Sequence, residues 1–202
     1  MNKKLPLAVS TGVLTLALAL SGCADNSTAP SSQTTSSPQS SSASTATEAD
    51  EMFVTMMIPH HQQAIDMADI LLAKDGADSR VVELAEQIKA AQGPEIDTML
   101  GWLEDWGVDY DPGSMGGMDH GAMGGDDSMM SEEDMTLLED ADAAEAGRLF
   151  LEQMIVHHEG AVDMAQTALD DGQNPDVLDL AQQVIDAQTA EIATMQELLG
   201  QL

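Results

Sequence analysis

The chain has 202 residues, with 36 Asp and Glu against 6 Lys and Arg and a formal net charge of −30. So few basic side chains exclude nucleic acid as a partner, because that binding works by neutralising phosphates; the field attracts cations instead, or simply keeps the protein soluble. The one cysteine excludes a disulfide framework, whereas methionine reaches 15 residues and histidine 5.

The first stretch is not domain material. Lys3 and Lys4 precede a nearly unbroken apolar run from Leu5 to Leu20. It is too short and too weakly flanked for a comfortable membrane span, and it reads as a secretory signal over residues 1–22. The run ends in Leu20-Ser21-Gly22-Cys23, which resembles the lipobox of bacterial lipoproteins. That resemblance implies cleavage before Cys23, a lipid on its sulfur and attachment to a lipid bilayer. The plainer alternative is an ordinary signal peptide with an incidental cysteine. A lipidated Cys23 leaves no thiol for a metal, so a soft site must use thioether and imidazole. Loss of Lys3 and Lys4 leaves Lys74, Arg80, Lys89 and Arg148 as the basic residues of the mature chain.

Residues 23–47 are rich in Ser, Thr, Ala, Pro and Gln and bury too little to fold, so they read as a flexible tether. The folded domain spans 48–202. Thr47-Glu48-Ala49-Asp50 has the form of an N-cap with an acidic first turn, and helical periodicity runs to about Ala73 before Asp75-Gly76. At 100° per residue Phe53, Met56, Met57, His60, His61, Ala64, Met67, Ala68 and Leu71 share one apolar sector, with Gln62, Asp66 and Asp69 opposite. Pro59 should bend this helix. A second helix runs from Asp78 to about Trp106, where Gly93-Pro94 should kink or split it. Trp102 and Trp106 read as core residues at its end.

Residues 113–130 combine glycine and aspartate with Met115, Met118, His120, Met123, Met129 and Met130. They show no helical or strand period, so they read as a long loop. Ser131-Glu132-Glu133-Asp134 caps a short helix to about Glu139. Asp142 caps a long helix to about Leu169, and Asn174-Pro175 opens the last one, to about Leu199. No strand pattern is present. The chain is all-α: two helical hairpins form a four-helix bundle joined by the Met/Gly-rich crossover.

The hairpins repeat each other. Met57-Ile58-Pro59-His60-His61 returns as Met154-Ile155-Val156-His157-His158, and Phe53, Ala64, Asp66, Met67 and Ala68 return as Phe150, Ala161, Asp163, Met164 and Ala165. Gln92, Glu95, Ile96 and Met99 return as Gln188, Glu191, Ile192 and Met195, with the offset altered by one residue. Met57 lies three and four residues before His60 and His61 and so shares their face. Ala64 is small enough to leave room for an ion. If the halves pack about a pseudo-twofold axis, Met57, His60, His61, Met67, Met154, His157, His158 and Met164 converge in the interior. Gln92, Glu95, Met99, Gln188, Glu191 and Met195 then serve as supporting groups or further ligands. Di-iron bundles place a Glu three residues before the His; Met57 and Met154 stand there instead, which moves the preference toward Cu(I). Glu95 and Glu191 keep iron or manganese, and hence a ferritin-like oxidase, as the alternative. The third reading is an envelope interaction protein whose buried methionine and histidine merely pack. Met52, Met56 and Met135 read as core or surface. The loop methionines and His120 form a second, flexible set of soft donors.

The paired Met-Ile-x-His-His segments, each followed by Ala and Asp-Met-Ala, together with Phe150-Leu151-Glu152-Gln153-Met154 and the repeated Gln-x-x-Glu-Ile-x-x-Met, resemble the family known as domain of unknown function 305. The resemblance covers about Asp50 to Leu199. It implies a ferritin-like, extracytoplasmic four-helix fold associated with copper resistance, and it carries the Met/His octet above over as candidate ligands. The resulting expectation is a membrane-tethered copper binder of a bacterial envelope, not an enzyme, that sequesters Cu(I) or passes it to copper-exporting or copper-accepting envelope proteins.

Overall fold

The computed structural model describes residues 46–111 and 129–202. The signal segment, Cys23, the tether to residue 45, and Met115, Met118, His120 and Met123 lie outside the described residues. Within them the chain forms α1 (Glu48–Leu72), α2 (Ser79–Trp106), α3 (Glu132–Asp140), α4 (Ala143–Asp171) and α5 (Pro175–Leu199), with no strand. None of these helices is long and apolar enough to cross a membrane.

Polar side chains at the helix starts satisfy N–H groups that the first turn leaves over. Thr47 and Ser131 each form a reciprocal capping box, with Asp50 and Asp134. Asp142 accepts from Ala144 and Glu145, and Asn174 accepts from Asp176 beside Pro175. Lys74 Nζ donates to the Glu139 carbonyl and, at 2.9 Å, to the Ala141 carbonyl, tying the end of α3 to the turn after α1.

The apolar stripes sort into two clusters that reveal the topology. One joins the first half of α1 (Phe53, Val54, Met57) to the second half of α2 (Ile96, Met99, Leu103), the second half of α4 (Ala161, Met164, Ala165) and the first half of α5 (Val177, Leu180). The other joins the complementary halves, including Met67 and Leu71 of α1, Ile88 of α2, Phe150 and Met154 of α4, and Met195 of α5. Each helix therefore runs antiparallel to its hairpin partner, and α1 antiparallel to α4, as the pseudo-twofold repeat requires.

Asp50 stitches the hairpins together at one end. It is fully buried, caps Thr47 through its Oδ2 at 2.8 and 2.7 Å, and accepts from the main-chain N–H groups of Gln173 (3.0 Å) and Asn174 (3.1 Å) through Oδ1. Burial pushes its carboxyl up, but the hydrogen bonds from Thr47, Asn174 and Gln173 outweigh that and hold it below its ordinary value. Gly172 makes the approach possible: a Cβ there would lie 2.6 Å from the Ala168 carbonyl oxygen and 2.7 Å from Asp50 Oδ1.

Two sequence expectations need correction. Gly93-Pro94 does not split α2, which is one continuous helix. Gln92 and Ile96 are buried on either side of the break, so packing outweighs a lost backbone bond that costs ~3 kcal/mol in an exposed helix. Trp102 and Trp106 are half-buried and stack on each other, centroids 6.1 Å apart, while Leu103 takes the core position. Met130 packs against the second cluster, and Gln63 holds its main chain, donating to its carbonyl at 2.8 Å and accepting its N–H at 2.7 Å.

Candidate metal centre

The crossing of α1 and α4 brings the repeated motif together. Helical spacing puts His60 and His61 on the buried face of α1, and His157 and His158 on that of α4; all four rings are 0–1% exposed. His60 and His157 face each other, ring centroids 3.7 Å apart with the planes tilted by 36°. The His157 and His158 centroids are 6.3 Å apart.

The outer pair is held symmetrically by the partner helices. His61 Nε2 lies 2.6 Å from Glu95 Oε2, and His158 Nε2 lies 2.7 Å from Glu191 Oε2. A carboxylate only accepts, so Nε2 is the donor in each ring and Nδ1 points away from the glutamate. Both of those Nδ1 atoms are buried without a hydrogen-bond partner among the described residues. A carboxylate that fixes one imidazole nitrogen and leaves the other lone pair free is the usual outer partner of a ligating histidine. The two glutamates are 25% and 21% exposed, so each links a sealed ring to solvent.

The inner pair is kept neutral. Burial first, and then repulsion from His61 and His158, lowers His60 to about 3. Burial and the neighbouring rings likewise hold His157 well below its ordinary value, a small opposing effect from the His60 main chain notwithstanding. Neutral imidazole is the form that binds metal, so these rings are ready at neutral pH without releasing a proton.

Each of the two core clusters contains a trio of buried methionines. Met57, Met99 and Met164 belong to the first core cluster, and Met67, Met154 and Met195 to the second. Every trio takes two members from one hairpin and one from the other. Ala64 and Ala161, both fully buried, occupy matching places beside the histidines. Gln92 and Gln188, each 3% exposed, sit one turn before the two glutamates; both amide atoms of Gln92 and the oxygen of Gln188 lack partners among the described residues. Unpaired buried amides are rare in native proteins, and here they border the one polar layer of the core.

Among the described residues no three His, Cys, Asp or Glu side chains converge as metal ligands. The structure brings together the predicted His60, His61, His157 and His158 with Glu95 and Glu191, and places the predicted methionines in the two core clusters. Met129 and Met130 lie apart from that layer, half-buried at the end of the crossover. Sequence reading missed the joint made by Asp50, Gly172 and Asn174; Asp50 as a buried third residue of its helix was the only signal.

A family model described as Domain of unknown function (DUF305) matches residues 50–199. The structure is similar to that of a DUF305 fragment from Deinococcus radiodurans, at 36% identity over 78% of this chain and 99% of that one, with a TM-score of 0.68. It is similar also to CopM in its Cu(I)-bound form, at 31% identity over 75% of this chain and 96% of that one, TM-score 0.61. The Cu(II)-bound form of CopM gives 34% identity over the same shares, 75% and 96%, with a TM-score of 0.62. CopM is also known bound to silver. No curated protein matches the chain.

Proposed function

This chain belongs to the DUF305 family, and from that premise we propose that it is an extracytoplasmic copper-binding protein that sequesters Cu(I) or hands it on. The observation that carries the reading is the buried imidazole layer: two rings oriented by Glu95 and Glu191, two kept neutral, with a methionine trio in each core cluster. CopM, bound to Cu(I), Cu(II) and silver in a similar fold, supports copper as the cargo. His60, His61, His157 and His158 supply nitrogen; Met57, Met67, Met154 and Met164 supply sulfur. Glu95 and Glu191 orient His61 and His158 and connect the layer to solvent. Binding and release, rather than catalysis, is the role, and Cys23 with its lipid would keep the domain at a bilayer where envelope copper carriers or exporters can meet it. The crossover methionines and His120 would capture ions ahead of the bundle.

Competition of the full chain with a Cu(I) chelator tests this. High affinity for Cu(I), lost when His61 and His158 are changed to alanine, is the expected result; wild-type protein unable to compete would overturn the reading. The carboxylates within reach of His61 and His158 favour a ferritin-like iron or manganese enzyme as the second reading. Stoichiometric iron in protein purified without added copper would establish that alternative.

A further inference from the structure

The pseudo-twofold axis makes the histidine layer symmetric but leaves two unlike surfaces above it. Where the start of α1 meets the end of α4, Met52, Met56 and Met164 line one crevice together with Phe53, Ala168 and Thr167. Met52 and Met56 are one turn apart on the same face of α1, and Met164 comes from across the junction. All three are at least half-buried, and the crevice encloses about 20 Å³, room for about one water-sized occupant.

No carboxylate lines this crevice, in a chain with 36 acidic residues. Its one hydroxyl is engaged, since Thr167 Oγ1 donates to the Asp163 carbonyl at 3.0 Å. Three thioethers without an oxygen donor reject calcium, magnesium and iron and suit a monovalent soft cation. The repeat-related place on the other side carries Leu149, Gln153 and Met67 instead, and it is covered: Gln153 donates to the Asp134 carbonyl of α3 at 3.1 Å, and Leu149 packs on the second cluster. Simple core filling predicts similar residues at both places. Met52 and Met56, which the repeat replaces by Leu149 and Gln153, line a crevice to which α3 contributes no residue.

We infer that Met52, Met56 and Met164 form a separate all-thioether site for one monovalent soft cation, Cu(I) or Ag(I), at the open end of the bundle. It shares with the function proposed above the class of ion and Met164, and is distinguished from it by Met52 and Met56. Met164 lies about two turns further along α4 than His157 and His158.

Full-length protein labelled with ¹³C at the methionine methyls, titrated with Ag(I), tests the site. The Met52, Met56 and Met164 methyls should shift together and saturate together. The double variant M52L/M56L preserves volume and folds; it should bind one Ag(I) fewer while its histidine resonances respond to Ag(I) as in the wild type. Three methyls that stay still while other signals move, or an unchanged stoichiometry in M52L/M56L, would overturn the inference. Failure of the histidine reading is seen separately, as imidazole resonances that never respond.

Discussion

The middle of this bundle and its two ends obey different rules. In the middle the halves are near copies: His61 with Glu95 matches His158 with Glu191 to within a tenth of an ångström, and the methionine trios exchange members across the axis. At the ends the copies diverge. One end is fastened by Asp50 to the α4–α5 turn and leaves a methionine crevice open; the other is covered by α3, Lys74, Gln63 and Met130. A function that needs converging ligands keeps the centre symmetric, whereas surfaces that admit an ion or bury a crossover have no such constraint.

The largest expected effect tests the centre through acid. His60 is lowered from 6.5 to about 3, so between those values the unfolded chain binds a proton that the folded one refuses. Stability should therefore fall as pH drops through 6.5, by up to ~1.4 kcal/mol for each pH unit from His60 alone, with His157 adding to the loss. Urea melts of metal-free protein check this, and His60→Gln should flatten the slope. Asp50 is displaced in the same direction but in a more acidic window: its stabilisation is complete above 3.8 and is lost only below that, as pH falls through its lowered folded value.

At the fastened end, Asp50→Ala leaves the Gln173 and Asn174 N–H groups and the Thr47 cap unpaired, and should cost about 3 kcal/mol in a denaturant melt. Removing Gln63, which holds only Met130, should cost about 1 kcal/mol by the same measure. A loss from Gln63→Ala equal to that from Asp50→Ala would erase the contrast between the ends.

The symmetry of the centre has its own test. Glu95→Gln and Glu191→Gln should each weaken Cu(I) binding roughly tenfold to hundredfold, and by similar factors, because each frees one imidazole from its orienting carboxylate. Chelator competition reads both. A large effect from one glutamate and none from the other would mean that only one hairpin ligates.

The turns give the smallest and sharpest contrast. Gly172→Ala forces a methyl against the Ala168 carbonyl and Asp50 and should cost about 2 kcal/mol. Gly76 has φ 92° and open space around it, so Gly76→Ala meets only backbone strain of about 1 kcal/mol. Thermal melts should rank them in that order.

The amino-acid pattern alone determined the helices, their caps, the hairpin repeat and the eight Met/His candidates, because periodicity and capping are local properties that a linear chain displays directly. It allowed Gly93-Pro94 to split α2 and put the tryptophans in the core; α2 stays whole because buried residues on both sides hold the helix in place, and Trp102 and Trp106 lie at the edge of the core. Only the tertiary structure decided that His60 meets His157 while His61 and His158 turn to glutamates, that Asp50 joins the hairpins through Gly172, and that Met52 and Met56 share a crevice with Met164. Each of those depends on how α1 crosses α4, and a crossing is settled by the summed packing of distant side chains, which no single stretch of sequence contains.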